Sequence, residues 1–134
     1  MSILEDYGML ACKPSIAPME AILKLNADSG TKLVDLGTYR RQIGRLLYLT
    51  ILKIDICYTV HKLSQFVSNP HSRHINAAHM LLKCLKHTTS QGILLKANFD
   101  TKVHAYVEAD WGSCIDSRRS TTCFCVFLGN FLIS

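Results

Sequence analysis

The sequence lacks long hydrophobic runs and contains few prolines. No apolar stretch reaches the roughly 18 residues that a membrane span needs, and the start, MSILEDYGML, has acids where a secretion signal would carry bases. Only three prolines and seven glycines occur in 134 residues, and 49% of the residues are hydrophobic. This composition is typical of a folded globular chain. We expect an intracellular protein, with the choice between nucleus and cytoplasm left open.

Several motifs that carry chemistry are also missing. The sequence contains no glycine-rich phosphate-binding motif, no nucleophile elbow and no Asp-Asp pair. Its six cysteines, at positions 12, 57, 84, 114, 123 and 125, lack the paired CxxC spacing of a zinc site. Because no secretion signal accompanies them, we expect free thiols rather than disulfides or metal ligands.

Acidic residues are nearly absent from the middle of the chain. Residues 36–96 contain nine Lys or Arg and a single acid, Asp55, whereas residues 1–35 and 97–134 each contain more acids than bases. The formal net charge of +5 therefore comes from one cationic block, which also holds five of the six histidines. Such a block attracts polyanions, above all nucleic acid, although a solvated basic surface accounts for it equally well.

Helical periodicity dominates the sequence up to residue 91. The spacing of apolar residues predicts a helix that begins near Asp35 or Thr38. A second helix is predicted to begin with Asp55 as its N-cap and to stop before Pro70, and a third to cover residues 72–86.

Beyond Gly92 the apolar residues alternate with a period of two. Three short strands are predicted there, in the stretches GILLK, KVHAYVE and TTCFCVFLG. The sequence therefore predicts an α+β chain with a helical region over residues 1–91 and an antiparallel sheet over residues 92–134.

Two groups of potential metal ligands stand out. His71, His74 and His79 could supply imidazoles, but their spacing is poor for a zinc site, so ordinary surface or helix-start histidines are the preferred interpretation. Glu108 and Asp110 share one face of a period-two strand, and both could approach one Mg²⁺ ion. A solvated turn at the end of a strand is the alternative.

Four stretches of the sequence resemble consecutive blocks of copia-type Pol polyproteins. They read LEDYGMLACKPSIAPME, TYRRQIGRLLYLT, IDICYTVHKLSQFVSNPHSRHINAAHMLLKCLK and AYVEADWGSCIDSRRSTTCFCVFLGNFLIS. The resemblance implies that residues 1–91 form the thumb and connection of a reverse transcriptase. It implies that residues 92–134 open a ribonuclease H domain, as an incomplete antiparallel sheet with an exposed edge. The implied activities are RNA-directed DNA polymerase and ribonuclease H, with Mg²⁺ as the cofactor of the parent family.

The same resemblance implies that neither catalytic centre is complete. The polymerase needs an aspartate pair, and the family pattern Tyr-Ser-Asp-Ala-Asp-Trp reads Tyr106-Val107-Glu108-Ala109-Asp110-Trp111 here, so Glu108 occupies the position of the first catalytic carboxylate. The extra methylene displaces a metal ligand by about 1 Å or more, which Mg²⁺ sites tolerate badly. Lys53-Ile54 and Cys123 also depart from the family pattern. We therefore expect an inactive chain that needs no cofactor.

The cationic block keeps a role under this resemblance, because a thumb and connection grip the backbone of a template–primer duplex. The candidate phosphate contacts are Arg40, Arg41, Arg45, Lys83 and Lys86. The leading hypothesis is a non-catalytic retrotransposon remnant whose partner is an RNA–DNA hybrid or template–primer, with no membrane and no small-molecule substrate. The alternatives are a segment of an active enzyme whose other parts are absent here, and a recruited small nucleic-acid-binding module.

Overall fold

Helices occupy the first part of the chain and strands the second, as the change of hydrophobic period predicts. The computed structural model describes residues 2–19, 24–89 and 100–134. The chain divides into two compact units, residues 1–90 and residues 91–134. The first unit is helical and the second contains a three-stranded antiparallel sheet, so the predicted α+β class is confirmed.

The first unit contains four α-helices within its described residues. They are α1 (Ser2–Asp6), α2 (Leu36–Leu49), α3 (Cys57–Ser64) and α4 (Ser72–His87). A 3₁₀ helix at Ile54–Ile56 precedes α3. None of the helices within residues 2–19 and 24–89 is long and apolar enough to cross a membrane.

Helix α2 begins where the sequence predicts. The carboxylate of Asp35 accepts hydrogen bonds from the backbone amides of Gly37 (2.9 Å) and Thr38 (3.2 Å), and from the Thr38 hydroxyl. These bonds satisfy amides that have no partner inside the helix, which is the work of an N-cap. The bonds from Thr38 are the main cause that lowers the pKa of Asp35. Asp35 as the helix start is therefore confirmed.

Helix α3 is shorter than predicted at both ends. Asp55 lies inside the 3₁₀ helix, so Ile56, and not Asp55, is the N-cap, and no side chain caps the helix there. The helix ends at Ser64, well before Pro70. Beyond it, the Phe66 amide donates to the Leu63 carbonyl at 3.1 Å in a tighter turn, which brings the Phe66 ring into the core. Burial of that ring overrides the local helical pattern.

The core of the first unit lies between α2, α3 and α4. Side chains from all three helices are buried together, with further contributions from the amino-terminal segment. The buried set includes Tyr39, Ile43, Leu46, Val60, Leu63, Ala78, Leu81, Leu82 and Leu85. Full burial of one large apolar side chain contributes about 1.5–3 kcal/mol, so these contacts fix how each helix is rotated about its axis.

The first residues of α4 connect the helix to residues 24–34. The amide of Ser72 donates to the Thr31 carbonyl at 2.7 Å, and the amide of Arg73 donates to the Ser29 carbonyl at 3.2 Å. Gly30 makes this approach possible, because it has a φ of 93° and an added Cβ would lie 2.3 Å from Ser72 Oγ. The first amides of α4 are thus satisfied within the protein.

The second unit is a meander of β1 (Val103–Asp110), β2 (Thr121–Leu128) and β3 (Phe131–Leu132). Strands β1 and β2 correspond to the predicted KVHAYVE and TTCFCVFLG, and they pair from Val103 opposite Leu128 to Asp110 opposite Thr121. The sequence reading missed β3, which follows a turn at Gly129, a residue with a φ of 58°. The predicted strand GILLK lies outside the described residues.

Gln42 is a buried polar residue in the helical core whose side chain lacks hydrogen-bond partners among the described residues. Its side chain is fully buried on α2, and neither its amide nitrogen nor its amide oxygen has a hydrogen-bond partner among the described residues. Burying an amide without partners costs free energy, because the water it loses is not replaced. The core is therefore less stable at this position than an apolar side chain would make it.

Replacing Gln42 by Met is expected to raise the free energy of unfolding by about 1–3 kcal/mol, because it removes an unsatisfied amide at nearly constant volume. Urea denaturation of the two chains measures the difference. The same substitution at the exposed Gln65 serves as the control and should change stability by less than about 0.5 kcal/mol. A less stable Gln42→Met variant would mean that the amide has a partner.

Candidate nucleic-acid interface

One side of α2 carries polar and aromatic residues that the core does not use. Arg40, Arg41, Gly44 and Tyr48 are exposed, and Arg45 is half-buried. Their spacing of three, four and seven residues places them on neighbouring rows of the helix surface. The Tyr48 side chain is 72% exposed. The surface formed by these five residues is called the α2 face below.

Gly44 leaves the helix backbone uncovered at one position in the α2 face. A Cβ added there meets nothing within 4 Å, so no neighbouring group within the described residues requires a glycine. A glycine inside a helix is destabilising by about 0.5–1 kcal/mol relative to alanine. Its helical neighbours are Arg41, three residues before, and Tyr48, four residues after. The helix backbone is therefore accessible between a guanidinium and an aromatic ring.

Arg40 is held by the backbone beyond α3. Its Nε donates to the Val67 carbonyl at 2.9 Å, and one Nη lies 3.5 Å from the Ser68 carbonyl. These carbonyls belong to a turn that the helical ladder does not satisfy, so the guanidinium caps it. Arg40 has a structural role that the sequence alone did not indicate.

Arg45 forms an ion pair with Asp6 at the end of α1. The Arg45 and Asp6 side chains are 36% and 52% exposed, so water screens the pair. Arg41 differs, because no hydrogen bond or ion pair holds its guanidinium within the described residues. Its charge contributes to lowering the pKa of Asp35, as the smallest of the causes.

The two candidate lysines lie on α4. Lys86 donates from Nζ to the Leu10 carbonyl and, at 2.8 Å, to the Cys12 carbonyl, which ties the amino-terminal segment to the helix. Lys83 is half-buried, and its ammonium group has no hydrogen bond or ion pair within the described residues. Burial, with the positive charge of Lys83 as a second cause, lowers the pKa of His79.

His71 and His74 have structural roles at the start of α4. His74 is fully buried and stacks on Phe66 with ring centroids 4.0 Å apart. Its Nδ1 accepts from the His71 amide at 2.9 Å, and its Nε2 lies 2.9 Å from the Asn26 carbonyl. Both ring nitrogens of His74 are therefore engaged by the protein backbone, which agrees with the interpretation of His71 and His74 as helix-start histidines.

Glu108 and Asp110 share one face of β1, as the period of two requires. Glu108 lies opposite Cys123 and Asp110 opposite Thr121 on β2, and both acids are exposed. Within residues 2–19, 24–89 and 100–134 no three His, Cys, Asp or Glu side chains come together as a metal-binding group. No cysteine in those ranges forms a disulfide.

Comparison with known proteins relates the whole chain to transposon polyproteins. It is 39% identical over its full length to the "Retrovirus-related Pol polyprotein from transposon RE1" of Arabidopsis thaliana, and equally to that from transposon RE2. It is also 38% identical, over 98% of its length, to the "Uncharacterized mitochondrial protein AtMg00810" of the same plant. The chain belongs to the copia-type Pol polyproteins of transposons.

This Pol segment is a small part of the proteins that it resembles. It spans 9% of the length of the RE1 and RE2 polyproteins and 55% of AtMg00810. No family model matches the chain, and no solved structure matches it. The relatives establish the family of this chain, but they do not assign the activity of the whole polyprotein to it.

The structure does not bring the five predicted phosphate contacts of this Pol segment into one unoccupied surface. Arg40 and Lys86 bind backbone carbonyls and Arg45 binds Asp6, whereas Arg41 and Lys83 make no such contact within the described residues. Phosphate binding by these residues stays a prediction. Gly44 and Tyr48 were missed by sequence reasoning, although a glycine inside the helical pattern YRRQIGRLLYL is a signal that could have found them.

The stability of this Pol segment is expected to fall as the pH drops below 6.5, partly through His79. Burial holds the pKa of His79 in the folded chain below the ordinary value for histidine, so the unfolded chain takes up the proton first. His79→Gln removes this contribution and should flatten the dependence between about pH 7.5 and pH 5.5, measured by urea denaturation. His87→Gln, at an exposed position of the same helix, is the matched control. Equal pH dependence in wild type and His79→Gln would contradict the assignment.

Proposed function

We propose that this Pol segment binds nucleic acid through the α2 face and has no catalytic activity of its own. In this proposal residues 1–91 are the thumb and connection region of a reverse transcriptase, and residues 92–134 are the opening strands of a ribonuclease H domain. The ligand is a template–primer duplex or an RNA–DNA hybrid. The observation that carries the proposal is the bare helix backbone at Gly44, placed between Arg41 and Tyr48.

The absence of an internal reason for Gly44 supports a ligand at this point. An alanine would fit without a clash and would stabilise the helix by up to about 1 kcal/mol. Glycine is the residue that lets a ligand approach a protein backbone closely. A sugar–phosphate backbone lying across α2 at Gly44 would use this space, and a Cβ would hold it away.

The neighbours of Gly44 match the chemistry of such a backbone. The guanidinium of Arg41 offers several N–H donors to a phosphate, and it is not engaged by a hydrogen bond within the described residues. The 72% exposed ring of Tyr48 can stack on a base or a sugar. A cationic group and an aromatic group on either side of a bare helix surface fit a nucleic-acid strand, because the guanidinium can bind a phosphate while the ring stacks on a base.

The proposed absence of catalysis rests on two departures from the family pattern. The chain has no Asp-Asp pair for a polymerase site, and Glu108 stands where the first ribonuclease H carboxylate belongs. Mg²⁺, the metal that fits the oxygen ligands of Glu108 and Asp110, would polarise the scissile phosphate in the parent enzyme. These two carboxylates are too few to hold a pair of ions. A segment of an active enzyme remains the alternative, and the shared face of Glu108 and Asp110 favours it.

Gly44→Ala is expected to make the chain more stable and to bind nucleic acid more weakly. Stability should rise by up to about 1 kcal/mol, while the affinity for a short RNA–DNA hybrid should fall about 5- to 10-fold, because the Cβ displaces the strand. Fluorescence anisotropy measures the affinity and thermal denaturation measures the stability. Asn76→Ala, on the exposed side of α4, is the control, since it raises helix propensity on another helix.

The salt dependence of the same binding tests the role of charge. Arg41→Gln should lower the negative slope of log affinity against log salt by about 0.9, the value for one lost phosphate contact. If wild type shows no binding with a negative salt slope, or if Gly44→Ala binds as wild type does, the proposal is wrong.

No cleavage of an RNA–DNA hybrid is expected from the purified chain in Mg²⁺, because a two-metal site needs several converging carboxylates. Gel analysis of a labelled RNA strand provides the measurement. Cleavage by wild type that disappears in Glu108→Gln would contradict the expectation and would favour the active-enzyme alternative. The control Asp100→Gln changes an exposed carboxylate outside the β1 face.

A further inference from the structure

Asp6, which lies outside α2, pairs with the arginine at one edge of the α2 face. Its carboxylate pairs with the Arg45 guanidinium, which lies next to Gly44 and three residues before Tyr48. A negative charge therefore stands at the edge of the surface proposed to bind phosphate. A second ion pair joins Lys102 to Asp100 in the second unit.

The position of Asp6 is fixed by the core. Ile3 and Leu4, in the same short helix, are 8% and 3% exposed. The Met9 amide donates to the Leu4 carbonyl at 2.8 Å, and Lys86 binds the Leu10 and Cys12 carbonyls further along. The segment that carries Asp6 is thus held on both sides, so the acid stays near Arg45 while its own side chain is half exposed to water.

A carboxylate and a phosphate seek the same donors on a guanidinium. Both accept charge-assisted hydrogen bonds from its N–H groups, and Arg45 cannot lose its charge at any ordinary pH. An ion pair that water reaches is weak, so a phosphate can displace Asp6. The displaced carboxylate then lies close to another anion, and this repulsion opposes binding.

We propose that Asp6 regulates the affinity of the α2 face for nucleic acid by competing with phosphate for Arg45. This inference rests on the proposed function. It divides the α2 face into an open part, at Arg41, Gly44 and Tyr48, and a part at Arg45 that is occupied until Asp6 is displaced. Loss of the charge at Asp6 by substitution makes Arg45 an additional phosphate contact.

Asp6→Asn tests this competition against the matched substitution Glu5→Gln. Both remove one negative charge from the same exposed segment, but Glu5 makes no ion pair among the described residues. Asp6→Asn should raise the affinity for a short RNA–DNA hybrid about 3- to 10-fold and steepen the salt slope by about 0.9, one phosphate contact. Glu5→Gln should raise affinity by less than about twofold through the long-range field alone.

Arg45→Gln identifies the residue that is released. In the wild-type background it should lower the affinity by less than about twofold, through the long-range field of the charge that it leaves unpaired at Asp6, whereas in Asp6→Asn it should abolish the whole gain in affinity. This coupling is what a double-mutant cycle measures. Equal effects of Asp6→Asn and Glu5→Gln overturn the inference, as does a lower affinity of Asp6→Asn, which would make Asp6 a residue that positions Arg45.

A second measurement needs no nucleic acid. Reaction with phenylglyoxal, followed by mass spectrometry of the Arg45 peptide, should be faster in Asp6→Asn than in wild type and Glu5→Gln, with Arg41 as the internal reference. Unchanged reactivity of Arg45 overturns the inference even if the proposed function holds. Faster reaction together with no binding of the hybrid by any variant supports release of Arg45 and refutes the proposed function instead.

Discussion

The burial of one stripe of α2 constrains everything else in the helical unit. Tyr39, Ile43 and Leu46 are almost completely removed from water, and the Tyr39 hydroxyl donates to the Leu63 carbonyl at 2.8 Å inside the core. Burial raises the pKa of Tyr39, so the ring remains a neutral donor. Turning α2 about its axis would expose three large side chains at about 1.5–3 kcal/mol each and would break this bond. The rotation that results is what turns Arg41 and Tyr48 outward.

Several cationic side chains of the helical unit bind backbone carbonyls. Arg40, Lys53 and Lys86 each bind backbone carbonyls of a distant segment, with Lys53 donating to the Thr88 carbonyl at 2.8 Å where α4 ends. Carbonyls at helix ends and turns have no helical partner, and a cation also complements the negative end of the helix. Much of the positive charge in residues 36–96 therefore holds the fold together. A charge count alone overstates the surface open to a polyanion.

The helical unit and the sheet differ in how far their side chains are buried. Every residue of β1 is exposed within the described part of the second unit, including the apolar Val103 and Val107. The first unit keeps a well-packed core, but it buries the amide of Gln42 without a partner. The helical unit therefore has a core of its own, whereas the described strands of the second unit leave apolar side chains exposed.

Local signals in the sequence determined the elements and the family. The change of period separates helices from strands, Asp35 caps α2 through amides two and three residues away, and the order of the four matching stretches identifies copia-type Pol. These signals depend on residues that are close to one another in the sequence. Tertiary structure decided which cationic side chains have partners within the protein, because Arg45 pairs with Asp6, 39 residues away, and Lys86 binds the Leu10 carbonyl, 76 residues away. It also ended α3 early and added β3, since burial of Phe66 and pairing with β2 are contacts that no local pattern encodes.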